Sequence, residues 1–256
     1  MNTQTRATKP ETVGIIGFGA FGRLIAEHLR PYFKLFAYDP SPDLDPIASK
    51  YGVKLTSIEG AARCDVVVIA SPVSSFENVL TSIANACRPG TLVVDVGSVK
   101  VLTAQMMNRV LPDNVEIIAT HPLFGPQSAR DGIRGLKIAI CPIRGQRHLR
   151  LASFLRKALC LRVIVTSPDE HDRDAAMVQG LTHLIAKVLS SMGPLPSRIT
   201  TRSFDLLTES IAMVQNDAPE VFDAIENANP YAEDVRKRFF RLAEDLSREL
   251  DQSSAY

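Results

Sequence analysis

Short apolar runs alternate with amphipathic stretches through the first 165 residues. The strand-length runs lie at residues 12–16, 34–38, 65–70, 91–96 and 116–119. Two more, at residues 136–140 and 162–165, flank a helical stretch around residues 147–159. Strands that alternate with helices build parallel sheets. The pattern therefore predicts an α/β fold with an N-terminal Rossmann-type parallel-sheet domain over residues 12–165.

The pattern changes after this region. From Ser167 onward only helical periodicity remains, broken at Gly193-Pro194 and Asn229-Pro230. Ser167 as N-cap, with Pro168 next and Glu170 completing a capping box, predicts a helix that runs to about Met192. We expect an all-helical C-terminal domain over residues 166–256, for substrate binding and dimerisation.

The last predicted helix, residues 231–250, carries one apolar stripe. Its members are Val235, Phe239, Leu242 and Leu246. We interpret the stripe as a core-packing face. Six residues follow Leu250, so the sequence predicts no further domain after this one.

Composition and charge exclude several classes of function. Hydrophobic residues make up 45% and charged residues 22%, and the formal charge is +1, so we expect no nucleic-acid partner. The apolar runs are too short for a membrane span. The first ten residues are polar and lack a signal peptide's apolar stretch, which predicts a disordered arm over residues 1–11 and a cytoplasmic protein. The four cysteines lack CxxC spacing and the five histidines are dispersed, so we expect no metal site.

A glycine motif between a strand and a helix predicts dinucleotide binding. Residues Gly17, Phe18, Gly19, Ala20, Phe21 and Gly22 form GxGxxG after the apolar segment Val13 to Ile16. Such glycines allow a tight turn and a close approach of the backbone to a pyrophosphate, which the helix N-terminus attracts. The alternative is a glycine-rich turn without a ligand.

Asp39 follows the second predicted strand, 22 residues after Gly17. A carboxylate there can accept hydrogen bonds from the adenosine ribose and would repel a 2′-phosphate, so we expect NAD, with NADP as the alternative. Asp39 could instead only cap the turn before Pro40. Ser71 and Pro72 directly follow the apolar run at residues 65–70, where such folds place loops beside the cofactor.

Two further segments place polar residues directly after strand patterns: VVDVGSVK, residues 93–100, and ATHPLFGPQSARDG, residues 119–132. With the glycine motif, with Glu170-His171-Asp172 and with Thr182-His183, they make the chain resemble the prephenate/arogenate dehydrogenases over roughly residues 12–192. The resemblance implies an NAD(P)-dependent oxidation of a cyclohexadienol acid with decarboxylation, in tyrosine biosynthesis.

The resemblance also implies roles for individual residues. His121 would hydrogen-bond the substrate hydroxyl and assist its deprotonation, since an imidazole titrates near working pH. Ser98 would orient His121 beside the nicotinamide, or alternatively cap the following helix. His183, in the TH pair with Thr182, would contact the substrate.

Helical spacing adds to these assignments. Gln179 lies four residues before His183, on the same helical face, and is a further substrate-binding candidate. His171 would lie about 120° away from His183 around an uninterrupted helix, and we expect a packing or capping role for it.

The chain departs from the prephenate-specific pattern in its helical part. The family's carboxylate-binding arginine is absent around residues 204–209, and Arg202 is the nearest substitute, with plain surface charge as the alternative. The motif around Gln179 is closer to the plant-type arogenate form. Asp131, in the loop after HPxFGP, would favour arogenate by pairing with its ammonium, or would serve only as a turn residue.

Two other functions fit parts of the sequence. Another Rossmann dehydrogenase, of the 3-hydroxyacid dehydrogenase or imine reductase type, would rely on a lysine, for which Lys187 is the candidate. A regulator that senses NAD(H) without turnover would need no histidine at the sheet edge. The resemblance further implies a homodimer formed through the helical domain.

Overall fold

The computed structural model describes residues 11–253. Residues 1–10, most of the predicted disordered arm, lie outside them. Glu11 is held in place, because its carboxylate pairs with Arg147 at 2.7 Å and with Arg150 at 3.0 Å. The arm prediction is therefore wrong for this residue.

One eight-stranded sheet forms the centre of the molecule. Its strands are β1 (Thr12–Ile16), β2 (Lys34–Tyr38), β3 (Val53–Leu55), β4 (Val66–Ile69), β5 (Leu92–Asp95), β6 (Glu116–Pro122), β7 (Lys137–Arg144) and β8 (Arg162–Val165). Their order in space is β3-β2-β1-β4-β5-β6-β7-β8. The strands β1 to β6 are parallel in the Rossmann manner, and their carboxyl ends share one edge.

The sheet differs from the predicted all-parallel arrangement at its last two strands, which run opposite to β1–β6. β7 runs antiparallel to β6, and β8 is parallel to β7. The connection between β6 and β7, residues 123–136, contains no helix, and a parallel pairing would need a crossover of that kind. β3 was not predicted, because three residues are too few to show a periodicity.

Helices cover both faces of the sheet. They are α1 (Ala20–Leu29), α2 (Asp45–Lys50), α3 (Ile58–Ala62), α4 (Val73–Ala84), α5 (Val101–Val110) and α6 (His148–Lys157). On one face α3, α4 and α5 pack against residues such as Val67, Val93 and Ile117. On the other face α1, α2 and α6 pack against the alternate residues of the same strands. This two-sided burial explains why the strands appear as continuous apolar runs.

The part of the chain after β8 is helical, as predicted, and residues 166–253 contain no strand. Its elements are α7 (Pro168–Ala175), a π-helical segment π1 (Ala176–Gly180), α8 (Leu181–Ser191), α9 (Arg202–Val214), α10 (Pro219–Asp223), a second π-helical segment π2 (Ala224–Ala228) and α11 (Ala232–Ser253). The predicted capping box is present, with Ser167 and Glu170 bonded reciprocally. Within residues 11–253, no helix combines the length and apolar character that a membrane span requires.

The apolar stripe of α11 is not a core face. Leu242 is 54% exposed and Leu246 is 56% exposed. The interpretation as core packing is therefore wrong for this half of the helix. The helix is amphipathic as predicted, but nothing within residues 11–253 covers the stripe at these two positions.

Candidate active site

The turn between β1 and α1 has the geometry that its glycines predict. Gly17 has a φ of +97°, and a Cβ on it would lie 2.6 Å from the carbonyl oxygen of Ala70. A Cβ on Gly22 would collide with the carbonyl of Gly17, so helix and strand could not pack as closely. A Cβ on Gly19 would meet open space, which is the side from which a ligand can approach the backbone.

The N-terminus of α1 fits an anionic group. Its N-cap is Gly19, which has no side chain, and no other side chain within the described residues caps the helix. The first N–H groups of such a helix, together with the helix dipole, attract a phosphate. The hydroxyl of Ser71, after β4, is buried without a hydrogen-bond partner in residues 11–253, and Pro72 is the N-cap of α4.

Asp39 is placed at the end of β2, beside the glycine turn. One carboxylate oxygen accepts the backbone N–H of Phe18 at 2.6 Å, and the other accepts that of Ser41 at 2.9 Å. A carboxylate offers about four lone-pair sites, so this capping role leaves acceptors for the hydroxyls of a ribose. The two roles that the sequence leaves open for Asp39 are therefore compatible.

His121 is buried near the end of β6, at the carboxyl edge of the sheet, with 3% of its surface exposed. Its Nδ1 atom lies 2.9 Å from Nε2 of His171, and its Nε2 atom lies 3.5 Å from the amide nitrogen of Gln179. Burial, the His171 ring and the Lys100 cation together lower the pKa of His121 well below its ordinary value. The imidazole is therefore neutral near pH 7, which a proton acceptor requires.

Behind His121, the hydrogen-bonded contacts continue through His171 to the carboxylate of Asp172. Nδ1 of His171 lies 2.8 Å from Oδ1 of Asp172. Asp172 accepts the backbone N–H groups of Lys100 and Val101, each at 2.8 Å, and so caps the N-terminus of α5. Both side chains are buried, and they join α7 to the sheet edge.

A buried ion pair fixes the neighbouring strand ends. The Lys100 ammonium bonds the Asp95 carboxylate and donates to the carbonyl of Thr120 at 2.7 Å, one residue before His121. Burial raises the pKa of Asp95, while the Lys100 cation and the N–H groups of Gly97 and Thr120 act in the opposite direction. These bonds connect the end of β5 to β6, next to His121.

Gln179 and His183, the two substrate-site candidates that share a helical face in the sequence, contact different groups. Gln179, in π1, reaches His121, and its carbonyl oxygen Oε1 is buried without a partner in the described chain. His183, in α8, lies 3.0 Å from the Gln179 backbone carbonyl and 3.3 Å from Asp217. Burial by itself lowers the pKa of His183, but the bonds to Asp217 and to the Gln179 carbonyl outweigh it, and the pKa is raised.

Ser98 is not joined to His121. Within the described residues, the polar contacts of His121 go to His171 and Gln179 instead. The alternative role of Ser98 as a helix cap is wrong, because α5 begins at Val101 with Lys100 as its N-cap. Ser98 remains a half-buried residue of the loop between β5 and α5.

The other substrate candidates lie nearer the surface. Asp131 is 89% exposed in its side chain and pairs only loosely, at 3.4 Å, with Arg130. Arg202 is 72% exposed and lies 3.4 Å from Glu209. Thr182 bonds the carbonyl of Val178 within its own helix. Ion pairs at such exposure contribute little to binding.

Lys187 is engaged elsewhere. Its ammonium lies 4.6 Å from the centre of the Phe222 ring, in a cation–π contact. Residues 11–253 contain no group of three or more His, Cys, Asp or Glu side chains placed to hold a metal ion.

Sequence reasoning missed Lys100 and Asp95 and gave His171 only a packing or capping role. The GSVK and EHD segments contained these residues, but spacing along the chain could not show that α7 meets the sheet edge. The π-helical turn matters as well, because an extra residue in a turn rotates everything after it by about 100°. Gln179 reaches His121 from within that turn.

The fold and the glycine turn define a nucleotide-binding domain of the dehydrogenase type, with a buried histidine at its sheet edge. A family model described as "Prephenate dehydrogenase, nucleotide-binding domain" matches residues 25–159, which is more than half of the chain. The chain therefore belongs to the prephenate/arogenate dehydrogenase family.

Individual relatives agree with this assignment. The chain is 31% identical to arogenate dehydrogenase 1, chloroplastic, of Arabidopsis thaliana, over 97% of this chain and 41% of that protein. It is 28% identical to arogenate dehydrogenase 2, chloroplastic, of the same plant, over 98% of this chain and 73% of that protein. The chain thus spans less than half the length of the first relative.

A solved structure shows the same fold. The prephenate dehydrogenase from A. aeolicus, solved in complex with hydroxyphenyl propionate and NAD+, superimposes with a TM-score of 0.72 at 22% identity. The superposition covers 96% of this chain and 94% of that one.

Proposed function

We propose that the chain catalyses the NAD(P)-dependent oxidative decarboxylation of arogenate, or of prephenate, in tyrosine biosynthesis. The observation that carries the proposal is His121, a buried and neutral imidazole at the carboxyl edge of a Rossmann sheet. Family membership supplies the substrate class. The names of the two plant relatives favour arogenate.

The chain's own residues suit the cofactor. The turn from Gly17 to Gly22 and the N-terminus of α1 would hold the pyrophosphate, and Asp39 would accept from the adenosine ribose. The nicotinamide ring, when bound, accepts a hydride. A 2′-phosphate would meet the charge of Asp39, so NAD is the cofactor that we propose, and NADP is the alternative.

His121 would act on the substrate hydroxyl. Its Nε2 atom would accept the hydroxyl proton as the ring carbon loses a hydride, and the carboxyl group would leave as carbon dioxide while the ring becomes aromatic. The Oε1 atom of Gln179, buried without a donor in the described residues, would accept a hydrogen bond from the substrate. An unpaired buried acceptor is costly, and a substrate donor would relieve that cost.

We further propose that the helical part provides the substrate side of the site. His171, Asp172 and Gln179 all come from residues 166–253. His171 and Gln179 contact His121 directly, and Asp172 contacts His171. The remaining candidates for substrate binding or positioning are His183, Thr182, Asp131, Arg202 and Ser98. The high exposure of Asp131 and Arg202 leads us to expect the smallest effects there.

The test is a substrate panel followed by the absorbance of reduced nicotinamide. Arogenate and prephenate are each offered with NAD and with NADP, beside a set of 3-hydroxy acids. We expect turnover of arogenate with NAD to be highest. Turnover of the 3-hydroxy acids alone would contradict the proposal, and so would tight NAD binding with no turnover of any substrate, which is the behaviour of a sensor.

A further inference from the structure

The buried side chains of Asp172, His171 and His121 are hydrogen-bonded in series. We propose that this hydrogen-bonded series fixes the proton of His121 on Nδ1 and so keeps Nε2 unprotonated toward the substrate. His171 and Asp172 are then positioning residues that act through His121. The inference rests on the proposed function for its catalytic meaning, but the protonation pattern itself can be measured without a substrate.

Asp172 is held at both of its carboxylate oxygens. They accept the N–H groups of Lys100 and Val101 at the N-terminus of α5, each at 2.8 Å. Both donors are backbone N–H groups, so each oxygen acts as an acceptor. Its own backbone carbonyl is held by the side-chain amide of Asn229 at 2.8 Å. Asp172 is therefore a fixed carboxylate that can only accept hydrogen bonds.

A neutral imidazole carries one proton, so one of its ring nitrogens donates a hydrogen bond and the other accepts one. Nδ1 of His171, 2.8 Å from Asp172, must carry a proton to bond an acceptor. A neutral imidazole has one N–H, so Nε2 of His171 is an acceptor. Nδ1 of His121, 2.9 Å away, must then be the donor, and its Nε2 has a free lone pair.

The far side of His121 agrees with this assignment. The amide nitrogen of Gln179, which can only donate, lies 3.5 Å from Nε2 of His121. A lone pair fits that neighbour, whereas an N–H group would oppose it. With the Gln179 amide in this orientation, the contact is compatible with the tautomer that His171 requires.

A second proton on the histidine pair would reverse the arrangement. A doubly protonated His171 would donate from Nε2, so Nδ1 of His121 would have to accept and Nε2 would carry the proton. The charged groups that face the pair are Asp172 on α7 and the pair of Lys100 and Asp95 behind β6. Cys141 on β7 stays a neutral thiol, because burial raises its pKa to about 12.

The experiment is long-range proton–nitrogen NMR of the protein labelled with ¹⁵N-histidine, without substrate. The five histidines give few signals, and the His121→Asn variant identifies the one of interest. We expect a protonated Nδ1 and a bare Nε2 on His121 near pH 7. His171→Gln keeps an acceptor for His121 and should preserve this tautomer, whereas His171→Leu should lose it. A protonated Nε2 in the wild type, or identical tautomers in both variants, would overturn the proposal.

Activity gives the second readout. We expect His171→Leu to lower kcat about 10²-fold with little change in KM, and His171→Gln to restore part of it. The acid limb of the kcat profile should move to higher pH in His171→Leu, because the variant removes a ring that lowers the pKa of His121 and admits water. The control is His28→Gln, a histidine outside this chain of contacts, and it should change neither the tautomer nor kcat. A kcat that is equally reduced in the Leu and Gln variants would show that His171 only fills space.

The two proposals fail in different ways. If the wild type turns over neither arogenate nor prephenate, the proposed function is wrong, while the NMR result still decides the protonation of His121. If turnover is normal but the tautomer is the opposite one, only the positioning role is lost.

Discussion

His121 combines burial at the sheet edge with a neighbour at each ring nitrogen, His171 on one side and Gln179 on the other. We expect His121→Asn to lower turnover by about 10²- to 10⁴-fold, which is the usual contribution of a positioned acid–base group. NAD affinity should change little, because the glycine turn and Asp39 lie elsewhere. Steady-state kinetics and titration with NAD measure the two quantities. Near-normal turnover would transfer the proton-accepting role to another residue.

Asp39 has two tasks that one substitution can separate. Asp39→Asn keeps an acceptor for the N–H of Phe18 but removes the charge that would repel a 2′-phosphate. We expect the ratio of NADP to NAD affinity to rise about tenfold, or ~1.4 kcal/mol. Asp45→Asn, a nearby exposed carboxylate on α2, is the matched control. The same ratio change in both variants would mean that Asp39 does not contact the ribose.

His183 gives a pH dependence of stability with a definite sign. Its pKa is raised above 6.5, so its bond to Asp217 stabilises the fold fully below that pH and is lost as pH rises through the folded-state value. The stability difference between wild type and His183→Gln should therefore shrink as the pH rises from below 6.5 through the raised folded-state pKa. Thermal unfolding followed by circular dichroism measures it, since the chain has no tryptophan. A difference that grows over this range would contradict the bond to Asp217.

At the scale of elements, Lys100 connects the ends of β5 and β6. Lys100→Met leaves the buried Asp95 unpaired, and we expect a loss of about 3–5 kcal/mol in the free energy of unfolding. Adding Asp95→Asn should recover part of that loss, because no charge then remains buried. Arg109→Met breaks the exposed pair with Glu77 and should cost less than about 1 kcal/mol. Urea unfolding of the four proteins tests this, and equal losses for both pairs would refute it.

The elements themselves could be predicted where periodicity extends over enough residues. The bounds of β1, β2 and β8 match the predicted runs, and the capping box at Ser167 marks the start of α7. Strand direction could not be predicted for β7, because it depends on a loop without a local signal. The π-helical segment that carries Gln179 is also invisible to an argument based on 3.6 residues per turn.

The candidate site shows the same division. His121 and the glycine turn could be predicted because each follows a strand whose carboxyl end must reach the same sheet edge. His171 and Asp172 could not be assigned to that edge, because their approach depends on how α7 packs across the N-terminus of α5. The resemblance to a family included the EHD segment but did not supply the contact.

At the scale of the whole molecule, the helical part carries several large apolar side chains that are exposed to solvent. Leu242 and Leu246 on α11, with Leu206 and Met213 on α9, are each about half exposed. Exposed apolar side chains of this kind can be covered by another chain. The homodimer expected from the sequence would bury the exposed leucines of α11.

We therefore expect the protein to be a dimer that depends on α11. A charge placed in an apolar interface must be desolvated without a partner, so the double variant Leu242→Glu/Leu246→Glu should be monomeric. Leu149→Glu on α6 is the matched control, since Leu149 is 69% exposed but lies on the sheet-bearing part of the molecule. Sedimentation velocity at several concentrations distinguishes the species. If the wild type sediments as a monomer, or if the α6 variant dissociates as readily as the α11 variant, the apolar stripe of α11 is not the dimer interface.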